Sequence, residues 1–301
     1  MCSSLEAAVI VSRMSVYPAP EIGRKGITMR NLTISRCLPL LLAATCVSFA
    51  QAQDGLPAAQ PPRLMIIREQ VKAGQSAAHV RHEAGWPAAF AKANSPDYYI
   101  ALTSITGPTE AWYLIPWASH AAEAASMKRD AKDPVLSAEL DRLAAADADF
   151  ITGVTTVQLM ARTDLSLGKF PSIAKVRFFE VSIFSVRQGQ EAKIDSIIKT
   201  YGEVRKRVSP DASYRIYTVA AGMPGPTYFV ITSVEDYAEF DRTMSEHQKV
   251  FETATPEESA VFAKWGEAVM KSETNRFRLD PTMSYVSKEV RDSAPDFWKA
   301  N

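Results

Sequence analysis

Tyr98-Tyr99-Ile100-Ala101-Leu102, Gly107-Pro108-Thr109 and Ala111-Trp112-Tyr113-Leu114-Ile115 recur later in the chain. The second set is Tyr214-Arg215-Ile216-Tyr217-Thr218, Gly225-Pro226-Thr227 and Tyr228-Phe229-Val230-Ile231. Each set reads as strand, Gly-Pro turn, strand. Working outward, each is preceded by an apolar strand, a Gly-Gln turn (Gly74-Gln75, Gly189-Gln190) and a helix. Matched points lie 115 residues apart at Gly74/Gly189, 116 at Ile100/Ile216 and 118 at Gly107/Gly225. Gaps that small belong in the loops of a duplicated unit, so the chain is expected to form its own pseudo-dimer.

Copy one predicts a strand at 64–72, then a helix at 77–93 that Gly85-Trp86-Pro87 kinks or splits. Strands at 98–106 and 110–117, helices at 119–129 and 134–147, and a strand at 154–162 follow. Copy two predicts strands at 175–186, 213–221, 226–232 and 282–288, with helices at 191–208, 235–246 and 256–272. Each copy is then β-α-β-β-α-β, an α+β unit of the ferredoxin-like kind. Such a sheet carries helices on one face and needs a cover on the other. Arg177-Phe178-Phe179-Glu180-Val181-Ser182-Ile183-Phe184 is apolar on both faces, as two sheets packed together would require.

The ends divide off. Arg30 and Arg36 precede a mostly apolar stretch, Cys37 to Phe49, and Ala50-Gln51-Ala52 has the small-x-small form of a signal-peptidase site. A bilayer wants about 20 apolar residues, so the stretch reads as a cleaved signal and not a span. The expected organisation is 1–52 as upstream extension and signal peptide cut after Ala52, with Met29 as the expected start. A linker at 53–62, domains at 63–168 and 174–292 and a tail at 293–301 follow. A secreted or periplasmic location follows, with no membrane association after cleavage. Cys2, Cys37 and Cys46 all lie upstream of that cut. The mature chain is therefore expected to use no disulfide, thiolate nucleophile or cysteine-ligated metal. Its 29 basic and 32 acidic residues form no single-sign block, which argues against a nucleic-acid partner.

The chain resembles the dimeric α+β barrel superfamily, and within it the NIPSNAP-like and antibiotic-biosynthesis-monooxygenase-like domains. The likeness rests on the opening strands leading to Gly74-Gln75 and Gly189-Gln190, on the Gly-Pro-Thr hairpins, and on Trp112-Tyr113-Leu114-Ile115-Pro116-Trp117 running into Ala118-Ser119-His120. It covers nearly all of the mature chain, twice. The resemblance implies two ferredoxin-like units packed sheet to sheet as an intramolecular barrel. It also implies a range of activities that includes cofactor-free monooxygenases and haem-binding or haem-degrading proteins. Fold-level likeness does not choose among them, and the Asn/Trp/His arrangement of the haem-degrading members is not matched.

The candidate site residues follow from chemistry and spacing. His79 and His82 lie three apart on the first helix, beside Glu83, Trp86 and Phe90 in projection. A helix face with two histidines is by default solvated. The functional alternative makes His82 a general base or haem ligand, with His79, Trp86 and Tyr99 around a ligand. Two histidines and an acid could also hold a divalent ion, although no metal is assigned. At an offset of 115, Trp86 falls on Tyr201, whereas His79 and His82 fall on Ile194 and Ile197; copy one alone would then be active. Trp112, Tyr217 and Tyr228 belong to aromatic clusters that read first as packing and second as an apolar ligand pocket, and Tyr201 is a further candidate for contact with that ligand. His120 reads as a loop or cap residue and His247 as an exposed one. The pairs Glu257-Glu258 and Asp147/Asp149 read as solvated carboxylates. No Gly-rich phosphate loop, His-Glu-x-x-His or Gly-x-Ser-x-Gly elbow occurs.

The leading expectation is therefore an exported protein that binds a small apolar or aromatic molecule in a barrel pocket. The alternatives are a cofactor-independent monooxygenase or haem-linked enzyme, with haem as the candidate cofactor, and a non-catalytic structural or interaction module. Beyond the internal pairing, the sequence leaves the oligomeric state open.

Overall fold

The computed structural model describes residues 56–298. The expected signal peptide, its cleavage site and all three cysteines lie outside these residues, as do the start of the linker and the end of the tail. No helix among the described residues is long and apolar enough to cross a membrane.

Eight strands close a barrel: β1 (Arg63–Val71), β2 (Tyr99–Ser104), β3 (Glu110–Trp117), β4 (Ile151–Ala161), β5 (Phe178–Val186), β6 (Arg215–Ala221), β7 (Thr227–Val234) and β8 (Val269–Tyr285). Their order around it is β1-β3-β2-β8-β5-β7-β6-β4, and every neighbouring pair is antiparallel. The first four strands are contiguous in the order β4-β1-β3-β2 and the last four in the order β8-β5-β7-β6. The halves do more than face each other. They hydrogen-bond along two seams, β2 to β8 (Leu102 opposite Leu279) and β4 to β6 (Met160 opposite Thr218). Closure leaves no free sheet edge among the described residues.

The two-sided apolar strands now have their explanation. Alternate residues from all eight strands fill the interior, among them Leu64, Leu102, Trp112, Leu159, Phe179, Tyr217, Phe229 and Phe277. The intervening residues meet helices outside. Tyr99, Ala101, Ala111, Tyr113, Met283 and Tyr285 form one layer with Val80 and Phe90. Phe184, Val186, Ile216 and Tyr228 form another with Ile194, Ile197 and Ile198.

The first helical region splits as the sequence predicts, into α1 (Ser76–Glu83) and α2 (Gly85–Lys92). After them come α3 (His120–Asp130) and α4 (Pro134–Asp147), the latter capped by Asp133, whose carboxylate accepts from the amides of Val135 and Leu136. In the second half α5 (Glu191–Val208) and α6 (Glu239–Thr253) are long. The helix expected at 256–272 is instead two short ones, α7 (Pro256–Phe262) and α8 (Trp265–Ala268), and the strand expected at 282–288 begins at Val269. The reason is pairing: β8 runs beside β5 from Val269 to Arg278 and beside β2 from Phe277 to Tyr285, and only an extended backbone completes these two ladders. The strand ends at Tyr285; α9 (Lys288–Ser293) follows at the end of the expected second domain, and α10 (Pro295–Trp298) lies in the expected tail.

One mouth of the barrel is covered by chain. Leu56, Ile173, Phe297 and Trp298 pack onto the interior core, and the Trp298 indole donates to the carbonyl of Ala174 at 3.2 Å. Beside Leu56 and Ile173 a cavity of about 70 Å³ remains, lined by Leu64, Ile100, Leu114, Phe179, Tyr217 and Ile231. Pockets for drug-sized ligands run to roughly 300–1,000 Å³, so the barrel interior is mainly packed core.

Candidate functional site

The chemistry-bearing residues converge outside the barrel, between β1, β3 and the helices of the first half. Glu69 stands on β1 between Arg68 and Gln70, and on its own face Met65 and Ile67 point outward with it. On α1, His79 and Glu83 are four apart and share one face, with His82 beside them. Asp147, the last residue of α4, closes the cluster. His79 is 1%, Glu83 2%, Glu69 6% and Asp147 7% exposed. The solvated reading of the helix face and of Asp147 is thus corrected, because β1 lies under α1 and the end of α4 lies beside it.

The hydrogen bonds pair the groups. His79 Nε2 is 2.8 Å from Glu69 Oε2, and His82 Nε2 is 2.7 Å from Asp147 Oδ1. Glu83 lies between the two pairs: its Oε1 is 3.9 Å from each imidazole Nε2 and has no hydrogen-bond partner among the described residues. Its other oxygen accepts from the Tyr113 hydroxyl at 2.7 Å, and that hydroxyl also lies 3.1 Å from Glu69 Oε2. Phe150 stacks on His82 with centroids 4.9 Å apart.

Burial dominates the electrostatics. Desolvation, then the charges of Glu69 and Asp147, push the Glu83 carboxyl well above its ordinary value. Desolvation and Glu69 raise Asp147 to about 6. Tyr113 and Tyr99 are raised as well, first by burial and then by the neighbouring carboxylates, so both phenols stay neutral. Gathering three carboxylates in a desolvated pocket is costly unless a cation or protons compensate them. The ligand-type atoms of Glu69, His79 and Glu83 lie within 4.8 Å of one another, and so do those of His82, Glu83 and Asp147.

Of the other predicted site residues, all but Tyr99 are placed elsewhere. Tyr99 borders the cluster, its ring edge-on to Tyr113 at 6.2 Å. Trp86 packs against Leu136, Leu140 and Leu143 between α2 and α4. Trp112 is inside the barrel, on the opposite face of β3 from Tyr113, and its indole donates to Glu110 at 2.6 Å. Tyr217 also faces the interior and lines the cavity. Tyr228 is outside, stacked on Phe184 and donating to Asp195 at 2.9 Å. Tyr201 on α5 is 2.8 Å from His247 Nδ1. Of the predicted set, only His79, His82 and Tyr99 come together. His120 is bonded to Arg63 at 2.6 Å, away from the cluster.

Glu69, Tyr113 and Asp147 were not picked out as site residues. Glu69 had a signal, an acid in the outward register of an apolar strand. Asp147 had a weaker one, since an acid in the last turn of a helix opposes the dipole.

No protein-family model matches the chain, and no curated protein matches its sequence. Solved structures do. A candidate monooxygenase from Fusobacterium nucleatum subsp. nucleatum superposes with a TM-score of 0.51 at 10% identity, over 73% of this chain and 92% of that one. The fold is α+β, with a closed barrel of eight antiparallel strands. A candidate monooxygenase from Lactobacillus acidophilus NCFM gives 0.48 at 10% identity, covering 75% and 99%. A chlorite dismutase from Candidatus Nitrospira defluvii, solved with imidazole, gives 0.45 at 7%, covering 78% and 96%. At such identities the likeness concerns the fold alone.

Proposed function

We propose that this α+β barrel protein is a metalloprotein, with its centre in the Glu69, His79, His82, Glu83 and Asp147 cluster. This replaces the expectation of a site without metal. One observation carries the reading. Strands β1 and β5 have the same bounds at an offset of 115, as do the starts of α1 and α5. At that offset Glu69, His79, His82 and Glu83 fall on Phe184, Ile194, Ile197 and Ile198, which pack together as buried apolar core. The equivalent elements of the second half thus carry hydrocarbon in this place. The fold does not need the polar set, and a well-packed apolar replacement for buried charges is often neutral or stabilising. Imidazole and carboxylate donors without thiolate suit Zn²⁺, Mn²⁺, Fe²⁺ or Co²⁺. His82 acts in this reading as a ligand, and the centre would supply Lewis-acid chemistry to a bound molecule.

The test is metal content of the purified full-length chain after exposure to each ion and gel filtration. The combined Glu69→Phe, His79→Ile, His82→Ile, Glu83→Ile variant is expected to fold, by circular dichroism, and to retain no ion. Equal retention by this variant, or no retention by the natural chain, defeats the reading.

The small apolar ligand remains a second reading, supported by the cavity beside Leu56 and Ile173. Its 70 Å³ suits a molecule of a few heavy atoms; haem would need far more room. Xenon uptake, abolished by Leu114→Trp, is the check. We further infer that each half is a ferredoxin-like unit, supported by the matching strand orders, and that the chain is exported. An N-terminus at Gln53 in periplasmic material is the expected result for export.

A further inference from the structure

The metal reading concerns whether the cluster binds an ion; its geometry says how many. Resting on that reading, we propose that the centre holds two divalent ions bridged by Glu83. Glu69 and His79 hold an inner ion, and His82 and Asp147 hold an outer one.

The arrangement around Glu83 is the basis. Its carboxylate belongs to both groups of three potential ligands, and no wider convergence of all five side chains is found among the described residues. A single ion served by either group would leave one histidine–carboxylate pair unused beside it. The unpartnered Oε1 of Glu83, buried and 3.9 Å from both imidazole nitrogens, occupies the position of a shared ligand. Tetrahedral ions with bonds near 2.0–2.1 Å have ligand–ligand edges of roughly 3.4 Å. The distances of 2.7 and 2.8 Å within the pairs and 3.9 Å across to Glu83 bracket that edge, so small side-chain rotations would suffice. Tyr113 orients the bridge by donating to its second oxygen, as outer hydrogen bonds orient metal-bound carboxylates.

Charge and access distinguish the two positions. Three carboxylates leave two divalent ions with a net positive charge, which a bound hydroxide or a small anionic ligand would neutralise. The inner pair is the more enclosed: the His79 side chain is 2% exposed and that of His82 11%. The outer ion is therefore the one with an exchangeable coordination position and the one a chelator reaches first.

The experiment is metal stoichiometry of the full-length chain, stripped and then titrated with Mn²⁺, read by elemental analysis and by electron paramagnetic resonance. Two ions per chain with an exchange-coupled spectrum are expected, falling to one uncoupled ion in Asp147→Asn and in Glu69→Gln. Glu83→Gln should weaken both at least tenfold. Brief chelation should remove one ion well before the other. A single, uncoupled ion in the natural chain overturns the bridged pair and leaves the metal reading standing. No ion at all overturns both. Because Asp147→Asn and Glu69→Gln alter opposite ends of the cluster, misfolding of one leaves the other to decide.

Discussion

The Tyr113 hydroxyl donates to Glu83 across 2.7 Å, tying strand β3 to helix α1 through the least solvated carboxylate of the cluster. Removing the donor leaves a buried acceptor oxygen unsatisfied, which costs about 1–3 kcal/mol. Tyr113→Phe should therefore lower the denaturation midpoint in urea. It should also weaken metal binding by about 10–100-fold, the usual effect of losing an outer-sphere partner. Unchanged affinity would show that Glu83 is not a ligand.

Asp147 sets a pH dependence. Its folded-state pKa of about 6 exceeds the ordinary 3.8, so the folded chain binds the proton more tightly. That contribution to stability is present in full below about pH 4 and is lost as the pH rises through about 6. Glu83, raised by burial, acts in the same direction. With a chelator present, stability measured from pH 4 to 7 should fall, and Asp147→Asn should flatten the profile. The stabilisation gained from added metal should grow over the same interval, since binding displaces protons.

Trp112 separates fold from function. It is fully buried in the barrel, 4.4 Å by ring centroid from Phe277, with the Arg68 guanidinium 4.5 Å over its ring. Trp112→Ala should cost about 3–5 kcal/mol through the cavity it leaves. The metal content of the folded fraction should stay the same, because the cluster lies on the other face of β3. A loss of metal without a loss of stability would reverse that assignment.

Separated halves test the seams. Residues 63–168 and 174–292 would each expose two unpaired edge strands and half of the interior core. Each should self-associate or aggregate alone, and mixing should produce a heterodimer by light scattering. Two monodisperse monomers would show that the halves do not depend on each other.

Much of the barrel was legible in the chain. The recurrence of Gly74-Gln75 as Gly189-Gln190, and the strands apolar on both faces, called for two sheets that cover one another. Gly85-Trp86-Pro87 marked the break between α1 and α2, where the helix does split. The course of β8 was harder to see. Phe277 and Leu279 alternate with polar Arg276 and Arg278, a strand pattern, but Val269-Met270-Lys271-Ser272 favours no conformation strongly and is extended because β5 pairs with it.

The cluster divides along the same line. His79, His82 and Glu83 share one helix turn, so their proximity follows from the helical period alone. Whether they face water depends on what lies over them. Asp147 is 65 residues from His82 and Tyr113 30 from Glu83. By itself the sequence determined which surfaces are apolar and where the chain turns, because both depend on residues a few positions apart. Only the tertiary structure decided that five ionisable side chains would share one dry pocket, because burial belongs to the elements that close over a residue.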